Sequence, residues 1–326
     1  MPYRIIVLML SFALAAGAQG RGAPATPRPD NPQSLAHIDA AKKLAGTDPF
    51  LLNPYNFYCV AGNARAQNNN APDLEPVKLF DNVYAVGNSE TAVYALVSSE
   101  GLVLLDAGFE NKAEALVSQL QKLGFTPDKV KYILLAHGHA DHYGGAKYFQ
   151  DHFGTKVGTT AADWDLIAQT PNRGGTPAAK PAKDVVLTEG QPFKLGDLTI
   201  TLVAVPGHTP GSLAFIFPVK DKGKMRIAGL FGGTVLTTGI LTTDALKQYT
   251  QSIAHYLEIA KRMKVEVELQ NHPIFDGTPE RLAKLKAAKP GDPSPFAVGN
   301  DRYLKMWNII SECIQAEIAR RGASSN

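Results

Sequence analysis

The chain has 326 residues, 44% hydrophobic and 19% charged, with 33 Lys and Arg against 30 Asp and Glu for a formal net charge of +3. That hydrophobic content excludes a disordered chain, and the near balance of charge argues against a nucleic-acid binder, which needs a basic face to displace counterions from phosphates. Two cysteines, Cys59 and Cys313, exclude a disulfide-dense scaffold or a cysteine-rich zinc module.

Arg4 precedes an apolar run from Ile5 to Ala16, and Ala16-Gly17-Ala18 offers a small-x-small cleavage site. This is the layout of a secretory signal peptide over residues 1–18, which places the mature chain in the periplasm or the medium. The apolar run is about a dozen residues, short of the ~20 that span a bilayer, so no membrane attachment is expected after cleavage. Residues 19–34 are Pro, Gly and Ala punctuation and read as a flexible lead-in. A single catalytic domain is expected over residues 35–326.

A short helix is expected from Leu35 to Leu44, and Asn53 to Asn70 reads as an irregular surface loop. Short apolar runs split by turn residues then predict strands at Val83–Val86, Ala92–Val97 and Gly101–Leu105. Helical spacing of Ala113, Leu116, Val117 and Leu120 predicts a helix that stops at Gly124. Val130–Leu135 is a further strand, and Ala146–His152 a helix. Strands follow at Lys156–Gly158, Val185–Leu187, Leu198–Val205, Ser212–Phe217, Met225–Ala228 and Val265–Leu269. Helices are predicted at Thr243–Lys261, Pro279–Ala288 and Asp301–Arg320. The order implies an α/β protein with sheets covered by helices on their outer faces.

The chemistry is concentrated in His137-Gly138-His139-Ala140-Asp141-His142, directly after a buried-looking strand. His137 and His139, two apart in extended chain, project to one side, and Asp141 and His142 past the turn reach a second point. Imidazole and carboxylate suit Zn²⁺, and no thiolate competes. The alternative is a solvated polar loop with coincidental histidines, an expensive way to end a strand.

This motif resembles the His-x-His-x-Asp-His metal motif of the metallo-β-lactamase superfamily. Asp106, in Leu104-Leu105-Asp106-Ala107-Gly108, resembles the aspartate that the superfamily places behind its ligands. Pro206-Gly207-His208-Thr209-Pro210-Gly211-Ser212 resembles its third-histidine loop, and Asn271-His272-Pro273 stands where its last ligand is expected. The resemblance covers roughly Val77 to Arg320. It implies a four-layer αββα sandwich and two Zn²⁺, the first held by His137, His139 and His208, the second by Asp141, His142 and His272. A His₃ zinc with one open position lowers the pKa of its water to ~7, and Asp141 would orient the resulting hydroxide. Asp106 would hydrogen-bond a ligand ring or the adjacent backbone.

Many thioesterases, phosphodiesterases and nucleases of the superfamily carry a bridging Asp in a Gly-Asp-Thr turn, but here the stretch reads Gly232-Gly233-Thr234, with Gly233 in the place of that Asp, or Thr234 if the register slips by one, and no carboxylate in either case. Without that carboxylate the centre is more electropositive and suits a substrate with its own carboxylate beside the scissile amide. This departure resembles the third subclass of class B β-lactamases, as do Pro295-Phe296-Ala297-Val298-Gly299 and Cys313 in the last helix. The cysteine partner that this subclass usually has is missing, so either Cys59 and Cys313 pair or both are buried thiols.

The long stretch Gln169–Ala182 stands where the family has a loop rimming its site, and Arg173 or Lys180 there could meet a substrate carboxylate. By the same resemblance Thr234 and Thr237 could hydrogen-bond it. Phe57 and Tyr58 could form a wall or pack in the core. His37, His152 and His255 read as structural or surface residues, and Trp164 and Trp307 as core. Three functions follow as expectations. One is an exported dizinc enzyme opening β-lactam rings by attack of metal-bound hydroxide, and so conferring antibiotic resistance. Another is a dizinc hydrolase of lactones or other cyclic esters, and the third a non-enzymatic binding protein, which loss of ligands would favour. The expected partner is a small molecule, with no nucleic acid and a monomeric chain.

Overall fold

The computed structural model describes residues 28–62, 68–169, 178–236 and 241–322. The leader, Arg173 and Thr237 lie outside the described residues. No helix among the described residues is long and apolar enough to cross a membrane.

The first sheet runs in sequence order: β1 (Val77–Phe80), β2 (Val83–Gly87), β3 (Ala92–Ser98), β4 (Gly101–Leu105), β5 (Val130–Leu134), β6 (Lys156–Thr159) and β7 (Val185–Val186). β1 to β4 pair antiparallel through short turns, whereas β4 to β7 pair parallel. Parallel neighbours need crossovers, and helices supply them: α3 (Ala113–Lys122), then α4 (Ala140–Tyr143) with α5 (Ala146–Phe153), then α6 (Ala161–Gln169). The second sheet has the order β12-β11-β10-β9-β8. Its strands are β8 (Phe193–Leu195), β9 (Leu198–Ala204), β10 (Leu213–Asp221), β11 (Lys224–Phe231) and β12 (Val267–Leu269). α7 (Thr243–Arg262) lies in the crossover between the parallel pair β11 and β12.

The alternation of side chains along a strand makes the layers visible. Val103 and Leu105 of β4 meet Leu213, Phe215 and Phe217 of β10 in the core between the sheets. Leu102 and Leu104 turn the other way, into a core with Leu116 and Leu120 of α3, Phe149 of α5 and Trp164 of α6. Ala214 and Ile216 of β10 likewise turn outward to α7 and to α9 (Asn300–Gly322), around Tyr256, Tyr303 and Trp307. Three cores separate four layers, the αββα sandwich expected. Trp164 and Trp307 are core residues as predicted.

The amino-terminal region departs from expectation. α1 (Pro32–Ala45) begins three residues early because Asn31 caps it reciprocally with Ser34, whose hydroxyl accepts from the Asn31 N–H at 2.9 Å. The end of the supposed lead-in is therefore structured, and Asp30 pairs with Arg320 at 2.8 Å. The loop expected over Asn53–Asn70 is replaced in its first part by α2 (Pro49–Tyr55) and a π-helical turn, Asn56–Val60. Asp48 caps α2, Pro49 occupies its first turn, and Phe57, Tyr58 and Cys59 are buried against α7 and α9. Apolar burial outweighs the loop-like composition there. β1, β8, α4 and α6 were not anticipated; β1 and β8 are edge strands of four and three residues.

Cys59 and Cys313 are joined by a disulfide, with Cα atoms 4.9 Å apart. It links residues separated by 254 positions, tying the π-helical turn to α9. Replacing both cysteines with Ala should lower stability by about 2–4 kcal/mol, read as a lower midpoint in denaturant or thermal melts. An unchanged midpoint would show that the amino-terminal helices are held by packing alone.

Candidate metal centre

Strand ends from both sheets converge on one edge of the sandwich. Beyond β5 the chain continues extended, with the Leu135 N–H on the Gly158 carbonyl at 2.8 Å, and delivers His137 and His139. His139 stands immediately before α4, whose single turn carries Asp141 and His142. His208 sits in the loop joining β9 to β10, closed by the Val205 N–H on the Ser212 carbonyl at 2.8 Å. His272 follows β12.

The six side chains form two groups. The possible ligand atoms of His137, His139 and His208 lie within 4.8 Å of one another, as do those of Asp141, His142 and His272. His208 Nε2 is 3.1 Å from His137 Nε2 and 3.0 Å from His139 Nδ1. In the second group the Nε2 atoms of His142 and His272 are 3.1 Å apart, and Asp141 Oδ2 lies 3.5 and 3.6 Å from them. The rings of His137 and His142, with centroids 3.8 Å apart, join the groups into one cluster. His137 and His142 are wholly buried, while His139 opens to solvent and marks the mouth.

Asp106 fixes part of this arrangement. It leaves β4 in the left-handed region (φ 65°), which turns its carboxylate into the gap between the sheets. One oxygen accepts the Ala136 N–H at 2.7 Å, and the other accepts His142 Nδ1–H at 2.8 Å and the Asn271 amide at 3.0 Å. The Nδ1–H of His272 donates to the Glu90 carbonyl at 2.8 Å. With Nδ1 so engaged, both rings turn Nε2 toward the cluster.

Electrostatics divide the groups. Burial, reinforced by neighbouring rings, holds His137 and His208 well below the ordinary histidine range, so both are neutral with free lone pairs. Burial also opposes charge on His142, but Asp141 and Asp106 outweigh it and push that ring up to about 10. Burial likewise opposes the Asp141 anion, yet His142 and His272 hold it well below the usual carboxylate range. The donor set fits a borderline divalent cation. Three neutral imidazoles whose nitrogens converge at 3.0–3.1 Å can each turn a lone pair to a single cation between them.

All six ligand residues expected from the sequence, and Asp106 behind them, are brought together. Thr234 is buried, its carbonyl accepting the Tyr58 hydroxyl, while Thr237 lies outside the described residues. Lys180 donates to the Ala168 carbonyl at 2.8 Å. Phe57 and Tyr58 pack edge to face in the core, 5.0 Å between centroids. His37, His152 and His255 lie apart from the cluster, on Glu312, the Tyr148 carbonyl and Glu189 respectively. Asn271, the Glu90 carbonyl and Asp163 also serve the cluster, with no role evident from sequence alone. In the sequence Asn271 stands out only as the neighbour of His272, and an Asp in the first turn of a helix is so ordinary that it carries no signal.

A family model described as the metallo-beta-lactamase superfamily matches residues 86–221. The hydroxyacylglutathione hydrolase GloC of Haemophilus influenzae is 32% identical over 141 residues, 40% of this chain and 62% of that protein, less than two thirds of its length. A hydroxyacylglutathione hydrolase of Cereibacter sphaeroides is 33% identical over 212 residues, 58% of this chain and 77% of that protein. Among solved structures, BJP-1, a subclass B3 metallo-beta-lactamase of Bradyrhizobium japonicum, shares 30% identity and a TM-score of 0.67 over 78% of this chain and 97% of its own. FEZ-1 from Legionella gormanii, at 24% identity and a TM-score of 0.63 over 72% and 92%, is alike in fold. The chain belongs to the metallo-beta-lactamase superfamily.

Proposed function

We propose that the chain is an exported dizinc hydrolase that opens β-lactam rings. The observation that carries the substrate class is at Gly233. Its φ is +78°, and a Cβ there would lie 2.5 Å from His208 Cβ and 2.7 Å from His208 Cγ. In the register that puts Gly233 in the place of the bridging Asp, that position is pressed against a ligand ring. No Asp fits without displacing His208.

His137, His139 and His208 would hold one Zn²⁺, and Asp141, His142 and His272 the other. Zinc, when bound, supplies Lewis-acid polarisation of a carbonyl and water activated near neutral pH. Asp141 is the one anion among the six, and its carboxylate would orient the attacking water. Asp106 and the Glu90 carbonyl keep the His142 and His272 rings facing the reaction. One carboxylate against two divalent ions leaves the cleft positive, which favours a small substrate bearing its own carboxylate. The Cys59–Cys313 disulfide supports an oxidising compartment and hence export by the leader.

A second reading, hydrolysis of an acylglutathione thioester, is favoured by the names of the sequence relatives, and Gly233 argues against it. Zinc-loaded protein should turn over a cephalosporin and a carbapenem well above S-lactoylglutathione or an acyl-homoserine lactone, and a chelator should abolish this. Turnover of the thioester or lactone with negligible β-lactam hydrolysis would replace the proposed substrate. His208→Ala should lower kcat/KM by more than about 100-fold, against less than about twofold for His255→Ala, whose side chain is on Glu189.

The second metal group also carries a pH signature. Because His142 is raised to about 10, its ring holds a proton at pH 7–8 that a metal must displace. Zinc binding there should therefore release close to one proton and strengthen about tenfold per pH unit between 7 and 9. Calorimetry in buffers of different ionisation heat reads the release directly, and affinity independent of pH would refute the assignment.

A further inference from the structure

We propose that Asp163 is the positioning residue of the three-histidine metal site, its carboxylate setting the spacing between the loop of His137 and His139 and the loop of His208. Asp163 lies in the first turn of α6 and is wholly buried. Oδ2 accepts the N–H of Gly138, the residue between His137 and His139, at 2.7 Å. The same oxygen accepts the hydroxyl of Thr209, the residue after His208, at 2.8 Å. Oδ1 accepts the Gly211 N–H at 2.8 Å. One side chain thus bonds both ligand loops at a residue next in sequence to each histidine of the group.

The rings explain why such a clamp is needed. His142 and His272 are each oriented by a hydrogen bond at Nδ1, but Nδ1 of His137 and of His208 is buried without a hydrogen-bond partner among the described residues. Their aim depends on backbone placement. Asp106 reaches the His137 loop through Ala136, but its bonds otherwise go to His142 and Asn271. The described hydrogen bonds of the His208 loop to the His137 loop through a carboxylate run through Asp163.

The clamp is itself held firmly. Trp164, the next residue, is buried and donates its indole N–H to the Val185 carbonyl at 2.8 Å. The Thr160 hydroxyl donates to the Gly211 carbonyl at 2.9 Å, and Thr209 and Ser212 share a 2.7 Å hydroxyl contact. Gly211 has no room for a side chain, since a Cβ there would lie 2.0 Å from Thr160 Oγ1 and 2.7 Å from Asp163 Oδ1. The His208 loop is therefore seated directly on α6.

The proposal rests on the metal-centre reading above but not on any substrate. Its test measures Co²⁺ affinity and absorption in two backgrounds: His272→Ala, which keeps the three-histidine group, and His208→Ala, which keeps Asp141, His142 and His272. Asp163→Asn, whose NH₂ must face a backbone or hydroxyl donor, should weaken Co²⁺ about 10–100-fold and alter its visible spectrum in the first background. The second background should change by less than about threefold. Thr209→Val, which removes one of the three bonds, should show the same selectivity at about threefold to tenfold and serves if Asp163→Asn does not fold. Equal losses in both backgrounds, or loss of thermal stability with an unchanged Co²⁺ spectrum, would reduce Asp163 to a structural residue. Failure of the His272→Ala chain to bind metal at all would overturn the metal centre and the clamp with it.

Discussion

The Asp106 carboxylate is the contact on which the rest of the site is built, because it binds β4, the segment after β5 and the segment after β12 at a single point. The first two belong to one sheet and the third to the other, so Asp106 stitches the two halves of the sandwich at the edge where chemistry is to occur. Hydrogen bonds to a buried charge contribute about 1.5–3 kcal/mol each, and it accepts three. The left-handed backbone at Asp106 costs on the order of 1–2 kcal/mol, a small sum beside those bonds. The strain has a purpose: the turn out of β4 directs the carboxylate across the strand ends.

A second buried charge cluster works on the far side of His272. Arg281 of α8 (Thr278–Ala287) forms ion pairs with Glu268 in β12 and with Asp276, four residues beyond His272, and donates to the Glu268 carbonyl at 3.0 Å. Its guanidinium also lies over the rings of Phe296, at 4.6 Å, and Phe50 of α2, at 5.7 Å. Buried ion pairs add little over apolar packing, but removing one partner costs about 3–5 kcal/mol, so such a cluster resists rearrangement. The last ligand is thereby bracketed, with Asn271 on Asp106 before it and Asp276 on Arg281 after it. Phe50 and the disulfide carry that rigidity into α2 and the π-helical turn, part of which a composition rich in Asn, Tyr and Phe disguised as loop.

What the sequence revealed and what it hid follow from the range of the interactions involved. His137, His139, Asp141 and His142 were legible because four ligands in six residues already imply their chemistry. His208 and His272 were legible only through motifs whose neighbours, Pro-Gly and Asn-Pro, mark their loops. The long strands and α7 and α9 announced themselves by periodicity. Asp163 was invisible: its partners, Gly138, Thr209 and Gly211, are 25 to 48 positions away, and two of the three bonds go to backbone N–H groups that leave no trace in residue identity. The pairing of Cys59 with Cys313 was undecidable for the same reason, since it depends on the π-helical turn packing against α9. Short edge strands such as β8 take their pairing from their neighbours and show little pattern of their own.

The two sets of relatives point to different reactions without contradicting each other. The stretch that the family model matches, residues 86–221, contains Asp106, the His137–His142 motif and His208, which is to say the elements that assemble a metal-activated hydrolase. Those elements are common to hydrolases of thioesters and of amides alike, so similarity there is silent on the bond broken. Gly233 and His272 lie past residue 221. At 233 a Cβ would lie 2.5 Å from His208 Cβ, so the packing leaves no room for a carboxylate side chain at that residue. Acylglutathiones and β-lactams both carry carboxylates, so cleft charge alone does not separate them. The residues on which a choice between these substrates would turn thus lie outside the segment that the family model matches.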